Sequence, residues 1–573
     1  SSSDAGDSDS DSDTETGPGD NDSDSPYVEG DIDEDDSALE PRELMARILS
    51  EPMPNAEIVG AADELDPGEV SIPEPEELGL VGRPPNTADA SDFTMASTHQ
   101  LVNLMQISLA TLDKACASGG FHIPDLNEPF TPLSEAFRAD PAAALAANTI
   151  VAAALQLAAI LTPPQVSLYH AVGGHFKSAA VRICLESNVT EILREAGSQG
   201  LHVKEIAAKN GQDPGKLGRF LRFLAVNHVY REVFPDVFAN TRISSMLDSM
   251  KSTKDIYANP ESKYDNTVGL AALVGHHLDE PFKGSSYAWE TLSDPETSHS
   301  GDPTASAFAR AFDIKGTMWD FYERPEEQYR QRRFDAAMQS TLALQPADAI
   351  LAAYDWKNIA PKSVVVDVGG GVGASAFPLA ENFHELRIVI QDRPDVINHA
   401  EKVWSAKMPE AVTSGRVKLE AHDFFTAQPM RDVSVFLLKQ IMHDWSDEYC
   451  TKILKCLRNA AGPTTKLIIV DSVVPYACHD PGADGTKAIA GQVPVEAPAP
   501  LLANFGAVNE MCYNLDINMF VLFNSQERTF HHFRLLLSEA GWELTVCVKF
   551  NTDSASAQAL MHMGYRSVSG NCT

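Results

Sequence analysis

An acid followed by a glycine turn is the part of this chain most able to bind a ligand. Residues 363–373 have the sequence SVVVDVGGGVG, in which an apolar run leads to Asp367 and a glycine cluster begins at Gly369. Such a run is typical of a strand buried on both faces, and glycines let a ligand lie against bare backbone. A predicted helix over residues 374–382 would point its first amide groups at the same place.

Two ligand classes use such a turn, and the glycines alone do not choose between them. A dinucleotide would place its pyrophosphate at the helix N-terminus. The residues Gly369-x-Gly371-x-x-Ala374 loosely match the Gly-x-Gly-x-x-Gly/Ala pattern of dinucleotide-binding sites. S-adenosylmethionine has no phosphate, and its sulfonium and amino groups favour an acid such as Asp367 nearby. A tight turn with a purely structural role is the third interpretation.

More polar residues stand where the next predicted strands end, which is where an open α/β sheet binds its ligands. Asp392 follows Asp367 by 25 residues and could accept hydrogen bonds from both ribose hydroxyls. Asp423 and Phe424 could hold an adenine, and Lys439 ends the fourth strand. Each could be an ordinary surface residue, but polar strand ends in succession favour a ligand site.

A histidine after the fourth strand is the candidate general base. Residues 443–448 have the sequence HDWSDE. Imidazole is the side chain whose ordinary pKa, about 6.5, suits taking a proton at neutral pH. Asp471 ends the next strand and Glu527 opens a predicted late helix, so either could bond the second ring nitrogen of His443 and fix its tautomer. A structural histidine beside a helix start is the alternative.

Predicted strands and helices alternate from residue 346 onward, and these elements must position the candidate residues. The alternation predicts a doubly wound, Rossmann-like α/β domain over 346–573. The predicted strands are 363–368, 387–391, 417–421, 433–438, 466–470 and 542–550, and the later predicted helices are 447–459 and 525–540. Residues 477–506, rich in Pro, Ala and Gly, form a predicted loop without an evident role.

The chain before this domain divides into three predicted segments. Residues 1–92 form an acidic tail and linker, whose first 40 residues contain 16 Asp or Glu and no Lys or Arg, which predicts disorder. Residues 93–250 predict an all-helical and winged-helix-like domain for dimerisation, with one helix at 141–161; DNA binding is the alternative role. Residues 251–345 predict a helical segment.

Aromatic residues punctuate the segment 251–345, and one pair is a candidate for the substrate pocket. Phe334 and Met338 are one helical turn apart and therefore share a helix face. A pocket for a flat aromatic ring uses these residue types, and so does an ordinary core, so both interpretations stay open.

Charge and cysteine content argue against several classes of protein. The 573 residues include 44 basic and 81 acidic ones, a formal net charge of −37, which argues against a nucleic-acid surface. The eight cysteines form no Cys-x-x-Cys pair, so no zinc site is indicated and a cytoplasmic location is expected. No membrane span is expected, because the most apolar window, 142–161, is alanine-rich and carries polar residues.

Taken together, these residues resemble those of the plant-type, class I, metal-independent O-methyltransferases of the caffeate and flavonoid kind. Some short motifs of the chain are similar to those of the fungal branch of that family. The resemblance covers residues 177–550 and is carried by the glycine turn, by DRP at 392–394, DF at 423–424, Lys439, HDW at 443–445 and NSQER at 524–528. Plant members usually have Glu where this chain has Asp471, and the first 92 residues have no counterpart.

The resemblance implies S-adenosyl-L-methionine as the cofactor, no metal, and an intertwined homodimer built by the N-terminal helices. It implies that His443 is the general base, held by Asp471 and Glu527, and that Phe334 and Met338 line the acceptor pocket, with Asp444 also beside the substrate. The cofactor residues that it implies are Asp367, Gly369, Gly371, Asp392, Asp423, Phe424 and Lys439.

We therefore expect methyl transfer from S-adenosylmethionine to a hydroxyl of a small phenolic acceptor, with no nucleic acid or membrane as partner. The residues alone leave two other classes open. One is an NAD-dependent dehydrogenase that uses the same glycine turn, and the other is a regulatory or DNA-binding protein that keeps the fold without catalysis. Transfer to an aryl amine is a further alternative.

Overall fold

The computed structural model describes residues 90–343, 349–352, 354–480, 496–549 and 560–566. Almost all of the predicted acidic tail and linker therefore lies outside the described residues, and so does the middle of the predicted loop at 477–506. The described residues belong to the unit formed by residues 87–573.

Two long helices begin the described chain, α1 (Ala90–Gly119) and α2 (Pro141–Leu161). Proline at the first position and Asp140 as the N-cap start α2, and the Asp140 carboxylate accepts hydrogen bonds from two backbone amides of the first turn. The predicted bounds of α2 are confirmed. Within the described ranges, α2 is the helix that is long and apolar enough to cross a bilayer, with a mean hydropathy of 2.0. Its buried side chains are mostly alanines, which let neighbouring elements approach closely.

Short helices around a small antiparallel sheet come next. Helices α3 to α7 are Pro164–Val172, Gly174–Glu186, Val189–Ala196, Val203–Asn210 and Pro214–Ala225, and strands β1 to β3 are Leu201–His202, Tyr230–Phe234 and Val237–Asn240. Strand β3 lies between β1 and β2. The chain turns between β2 and β3 at Asp236, which adopts a positive φ of 62°.

The segment between the small sheet and the large sheet is helical, as predicted. Helices α8 to α15 are Thr253–Ala258, Leu270–His277, Glu280–Ser285, Ala288–Ser293, Ala307–Ala311, Met318–Tyr322, Gln328–Ala343 and Ala349–Ala352. Buried charges hold α14 in place: Arg333, only 2% exposed, donates to Asp279 at 2.9 Å and to Glu280 at 2.6 Å. Helix α14, which carries Phe334 and Met338, is therefore anchored through its middle.

A seven-stranded sheet carries the candidate site. Its strands are β4 (Val364–Val368), β5 (Arg387–Asp392), β6 (Val417–Ala421), β7 (Val435–Lys439), β8 (Lys466–Ser472), β9 (Glu543–Lys549) and β10 (Leu560–Arg566). The order is β6-β5-β4-β7-β8-β10-β9, with β4 to β8 parallel and β10 antiparallel to both neighbours. The strand order reverses at β4, which puts the end of β4 at the topological switch point. The predicted doubly wound, Rossmann-like fold is confirmed.

Helices cover both faces of this sheet. Helices α16 to α21 are Ala376–Asn382, Pro394–Lys407, Pro409–Thr413, Asp447–Ala460, Glu510–Phe523 and Phe530–Glu539. Successive strand residues point to opposite faces, so Val365 joins the core with Trp404 of α17 while Val366 joins the core with Phe533 of α21. Both faces of β4 are therefore buried, as its apolar run predicts.

Two predicted elements near the site are wrong in detail. The helix predicted at 525–540 begins only at Phe530, because Asn524 adopts a left-handed φ of 54° at the end of α20 and the N-cap is Thr529. Glu527 consequently lies in an irregular segment and does not open a helix. The helix predicted at 374–382 begins at Ala376, because the turn continues past Gly373, whose φ is 85°. Strand β10 was not predicted.

Candidate active site

The turn after β4 has a backbone that only glycine adopts without strain. Gly369, Gly371 and Gly373 have φ values of 68°, 58° and 85°, in the left-handed region. The amides of Gly369 and Gly370 donate to the carbonyl of Gln391 at 2.8 and 3.2 Å, which ties the turn to the end of β5.

The space around the turn differs from one glycine to the next. A Cβ atom on Gly369 would lie 2.6 Å from Ile441 and 3.4 Å from the ring of Phe424, and one on Gly370 would lie 2.7 Å from the Asp367 carboxyl group. A Cβ atom on Gly371 would meet nothing within 4 Å. The backbone at Gly371 is therefore open to a ligand, while the other two glycines are required by close packing.

Asp367 is a buried acid beneath this turn. It is 2% exposed, and its Oδ2 atom has no hydrogen-bond partner among the described residues. Burial raises the pKa of Asp367 to about 7, against the opposing effect of the Lys439 ammonium group. A buried polar atom without a partner is costly, so this oxygen fits a hydrogen-bond donor or a cationic group supplied by a ligand.

Asp392 and Lys439 stand on either side of Asp367, at the ends of the two strands that flank β4. The Asp392 carboxylate accepts hydrogen bonds from the amides of Gly371 and Arg393, both at 2.8 Å, so it holds the glycine turn. Burial lowers the pKa of Lys439, whereas the charges of Asp367 and Asp471 raise it. Lys439 thus interacts with the acid under the turn and with an acid of the neighbouring histidine cluster.

Asp423 and Phe424 follow β6, as predicted, and the structure separates their roles. The Phe424 ring lies beside Gly369 and its centroid is 5.8 Å from that of Trp445. Asp423 is exposed, and its Oδ1 atom accepts a hydrogen bond from the amide of Phe425 at 3.0 Å. Phe424 therefore reaches the turn, while the contact recorded for Asp423 stabilises its own loop.

His443 lies on a short 3₁₀ turn, Met442–Asp444, directly after β7. Its Nδ1 atom is 2.7 Å from Oε1 of Glu527, and because a carboxylate accepts, Nδ1 carries the hydrogen. Its Nε2 atom is 3.5 Å from Oδ1 of Asp444. The His443 side chain is 12% exposed and that of Glu527 is fully buried, so water screens this pair little.

The charges around His443 favour its protonated form. Burial by itself lowers the pKa of His443, but the carboxylates of Glu527 and Asp444 outweigh burial and raise this pKa to about 10. Burial also raises the pKa of Asp444 to about 6 and that of Asp471 to about 7. One imidazole beside two buried carboxylates and the partly buried Asp444 leaves an excess of negative charge, so the cluster retains a proton readily.

Asp471 lies at the end of β8, where the sequence predicts it, but its hydrogen bond goes elsewhere than to the imidazole. Its Oδ2 atom accepts from the amide of Met442 at 3.2 Å, and its Oδ1 atom has no partner among the described residues. Asp471 therefore acts on His443 through its charge and through the backbone of the preceding residue, whereas Glu527 contacts the ring.

Two further residues hold the turn that carries His443, and neither was a predicted site residue. Ser525 Oγ donates to the carbonyl of His443 at 2.6 Å. Arg528 donates to the carbonyls of Met442 and Trp445, each at 2.7 Å. Both belong to the NSQER motif at 524–528, and that motif was the sequence signal that could have indicated them.

The structure places Phe334 and Met338 in different surroundings. The Phe334 ring packs with Tyr322 and Trp319 at centroid distances of 5.1 and 5.7 Å, and Trp319 stacks on Phe523 next to the NSQER motif. Met338 packs against a separate cluster that includes Leu185 of α4. Only the Phe334 cluster is linked by these ring contacts to the segment that carries Glu527.

The residues at this sheet edge fit S-adenosylmethionine. A buried carboxylate with an unpartnered oxygen, Asp367, suits a cationic ligand, and the open backbone at Gly371 suits close approach. A phosphate, by contrast, would meet the negative charges of Asp367 and Asp392. In the part of the chain that the structure describes, no group of three His, Cys, Asp or Glu side chains is arranged to hold a metal ion.

Comparison with known proteins identifies related sequences for both parts of the chain. A family model described as an O-methyltransferase domain matches residues 289–493, and one described as an O-methyltransferase dimerisation domain matches residues 169–249. The chain is 51% identical to 4-O-methyltransferase 1 of Phanerochaete chrysosporium, over 80% of this chain and 96% of that protein. It is 30% identical to 3-O-methyltransferase 2 of the same fungus, over 80% and 95%.

Solved structures share the fold at low sequence identity. The complex of LepI with S-adenosylmethionine has a TM-score of 0.54 at 18% identity and covers 73% of this chain and 93% of that one. The mitomycin 7-O-methyltransferase MmcR has a TM-score of 0.50 at 22% identity, with coverages of 70% and 98%.

Proposed function

Because this chain belongs to the S-adenosylmethionine-dependent O-methyltransferase family, we propose that it methylates a hydroxyl of a small aromatic acceptor and that His443 is the general base. The observation that carries this proposal is the 2.7 Å contact between Nδ1 of His443 and the buried Glu527 carboxylate. It leaves Nε2 as the ring nitrogen that can take a proton. Family membership also decides against the dehydrogenase and the non-catalytic alternatives.

The proposed step is a proton transfer coupled to an in-line displacement. When bound, S-adenosylmethionine supplies a methyl group already activated by its sulfonium. The acceptor oxygen forms its bond to this carbon as the carbon–sulfur bond breaks, and the hydroxyl proton passes to Nε2 of His443. The pKa of a free phenol is about 10. The carboxylates raise the pKa of His443 to about 10, so they stabilise the imidazolium that this transfer forms. The neutral imidazole that accepts the proton becomes more abundant as pH rises toward about 10, and turnover should rise with it.

The cofactor-binding residues are proposed from their positions at the switch point of the sheet. Asp367 with its unpartnered oxygen would face the cationic part of the cofactor, and Gly371 would let the cofactor approach the backbone. Gly369 would shape the site by letting Ile441 and Phe424 pack against the turn. Phe424 would pack on its adenine. Asp392, although it holds the turn, keeps free lone pairs for the ribose hydroxyls.

The aromatic nature of the acceptor is supported by the cluster around Phe334. Phe334 and Trp319 are only partly buried and pack with the buried Phe523, which immediately precedes the NSQER motif. Partly exposed aromatic rings are the kind of side chain that packs on a flat acceptor. Asp444, 3.5 Å from Nε2 of His443, would lie beside the reacting hydroxyl. A small aromatic molecule could therefore contact the ring cluster and the base together.

A homodimer is part of the proposal. The chain contains a dimerisation domain at 169–249, and helix α2 presents large apolar side chains to solvent, among them Leu145, Val151 and Leu155, each over 40% exposed. A second copy of the chain would cover this apolar surface.

The test of the base is the substitution His443→Gln, assayed with S-adenosylmethionine and a panel of phenols. We expect kcat to fall by about 10²–10⁴-fold, the usual worth of general-base catalysis. Affinity for S-adenosylhomocysteine, measured by calorimetry, should not change, because the glycine turn is untouched. His531→Gln is a matched control, since His531 is an exposed histidine on α21 whose ring pairs with Arg534. Wild-type turnover by His443→Gln would refute the assignment.

A further inference from the structure

Arg528 is a fully buried cation whose hydrogen bonds go to the turn that carries His443. It is 1% exposed. Its guanidinium donates from Nη1 to the carbonyl of Met442 at 2.7 Å, from Nη2 to that of Trp445 at 2.7 Å, and from Nε to Oδ1 of Asp447 at 2.9 Å. The planar group therefore spans residues 442 to 447, on either side of the histidine.

The same short segment also fixes the backbone and the ring of His443. Ser525 Oγ donates to the His443 carbonyl at 2.6 Å, and Glu527 accepts from its ring. Residues 525–528 thus hold three carbonyls of the 442–445 turn and one ring nitrogen. Glu527 lies between Ser525 and Arg528, and its own amide donates to Oδ1 of Asp516 at 2.9 Å, so these contacts together position its carboxylate relative to Nδ1.

We propose that Arg528 is a positioning residue for catalysis: it locks the turn of His443 to the segment of Glu527, so that the two side chains meet in the productive geometry. This inference rests on the proposed function, in which His443 is the base. Arg528 does not contact the reacting atoms and acts through the backbone of its neighbours.

The shape of the side chain explains why arginine stands here. Guanidinium donors diverge in one plane and can serve two carbonyls and a carboxylate at once, whereas a lysine ammonium is a compact donor on a flexible stem. A purely structural ion pair with Asp447 is the competing explanation. Asp447 has a second partner, since its Oδ2 atom is 2.7 Å from Nε2 of His532, and its side chain is 44% exposed. Loss of Arg528 therefore leaves Asp447 paired and solvated, but leaves the carbonyls around His443 without this donor.

The test is Arg528→Lys, which keeps the positive charge and removes the planar, diverging donors of the guanidinium group. We expect kcat to fall by about 10²-fold, the cost of a displacement of about 1 Å in an active site. The acceptor KM and the affinity for S-adenosylhomocysteine should stay at wild-type values. The low-field proton NMR resonance of the His443 Nδ1–H, assigned by its loss in His443→Gln, should weaken or shift. Arg458→Lys is the matched control, because Arg458 also donates to a backbone carbonyl, that of Gly541, from the last turn of α19, whereas Asp447 stands at the first.

A milder second variant covers the case in which Arg528→Lys fails to fold. Ser525→Ala removes the hydrogen bond to the His443 carbonyl alone, and we expect it to lower kcat by about tenfold with the same unchanged KM.

The outcomes separate the two proposals. Wild-type kcat in Arg528→Lys or in Ser525→Ala, with His443→Gln inactive, overturns the positioning role and leaves the proposed function standing. A parallel loss of kcat, cofactor affinity and thermal stability, with an unshifted Nδ1–H resonance, also overturns it, because that pattern is purely structural. Full activity of His443→Gln would overturn both. A selective loss of kcat together with a shifted resonance supports the inference.

Discussion

Glu527→Gln is the substitution that probes the candidate site most directly. It removes one negative charge at nearly constant volume from a side chain that is fully buried and 2.7 Å from Nδ1 of His443. The second oxygen of Glu527 has no partner among the described residues, so the new amide group must either stay unpaired or turn toward the ring. If it turns, it donates to Nδ1 and forces the hydrogen onto Nε2, which is the wrong tautomer for a base.

The magnitude follows from the tautomer. With the hydrogen forced onto Nε2, His443 has no lone pair there to take the phenol proton, and kcat falls by about 10²–10⁴-fold, the usual worth of general-base catalysis. The lost charge acts in the other direction. Two unit charges about 4 Å apart, at an effective dielectric constant of about 20, attract by about 4 kcal/mol, or about three pKa units. The variant therefore has more neutral imidazole at neutral pH than the wild type, but in the unproductive tautomer.

The assay is steady-state methylation of a phenol as a function of pH. At neutral pH we expect the loss in kcat just given, while S-adenosylhomocysteine binds as in the wild type. The deficit should shrink as pH approaches the pKa of the phenol, about 10, because an ionised acceptor needs no base. Glu539→Gln, an exposed carboxylate on α21, is the matched control for loss of a charge.

Two results would refute this reasoning. Wild-type kcat at neutral pH would mean that the carboxylate of Glu527 does not fix the tautomer of His443. A deficit that stays constant from neutral pH to the pKa of the phenol would mean that Glu527 contributes something other than proton transfer.

Three more predictions follow from the same site. Burial raises the pKa of Asp367 to about 7, so S-adenosylmethionine should bind about tenfold more tightly at about pH 8 than at about pH 6, and calorimetry on Asp367→Asn should lose this dependence. Burial raises the pKa of Asp471 from 3.8 to about 7, so its contribution to stability is complete below about pH 4 and is lost as pH rises through about 7. The unfolding free energy of Asp471→Asn, relative to that of the wild type, should therefore rise by up to about 4 kcal/mol between about pH 4 and about pH 7. A difference that is the same at every pH in denaturation experiments would contradict this prediction. Sedimentation should show a dimer, and Val151→Glu on the exposed face of α2 should give monomers if a second copy covers that face.

Much of the fold could be predicted because it depends on short-range patterns. Helix α2 has the bounds that its proline start, alanine face and following prolines indicate, and β4 is buried on both sides as an unbroken apolar run requires. The apolar spacing of residues 525–540 is helical and predicts a helix throughout this segment. The left-handed Asn524 and the pairing of Arg528 with Val473 interrupt it, and both depend on contacts with distant residues.

The sequence by itself determined which residues could do chemistry here, since an acid before a glycine turn and a histidine after a strand are local features. Only the tertiary structure decided how they work together. Glu527 reaches Nδ1 of His443 across 84 residues of chain, Asp471 bonds a backbone amide instead of the ring, and Arg528 and Ser525 hold the turn between them. Hydrogen bonds depend on distances of a few tenths of an ångström, and such distances are set by the packing of α19, α20 and the sheet, which no local pattern specifies.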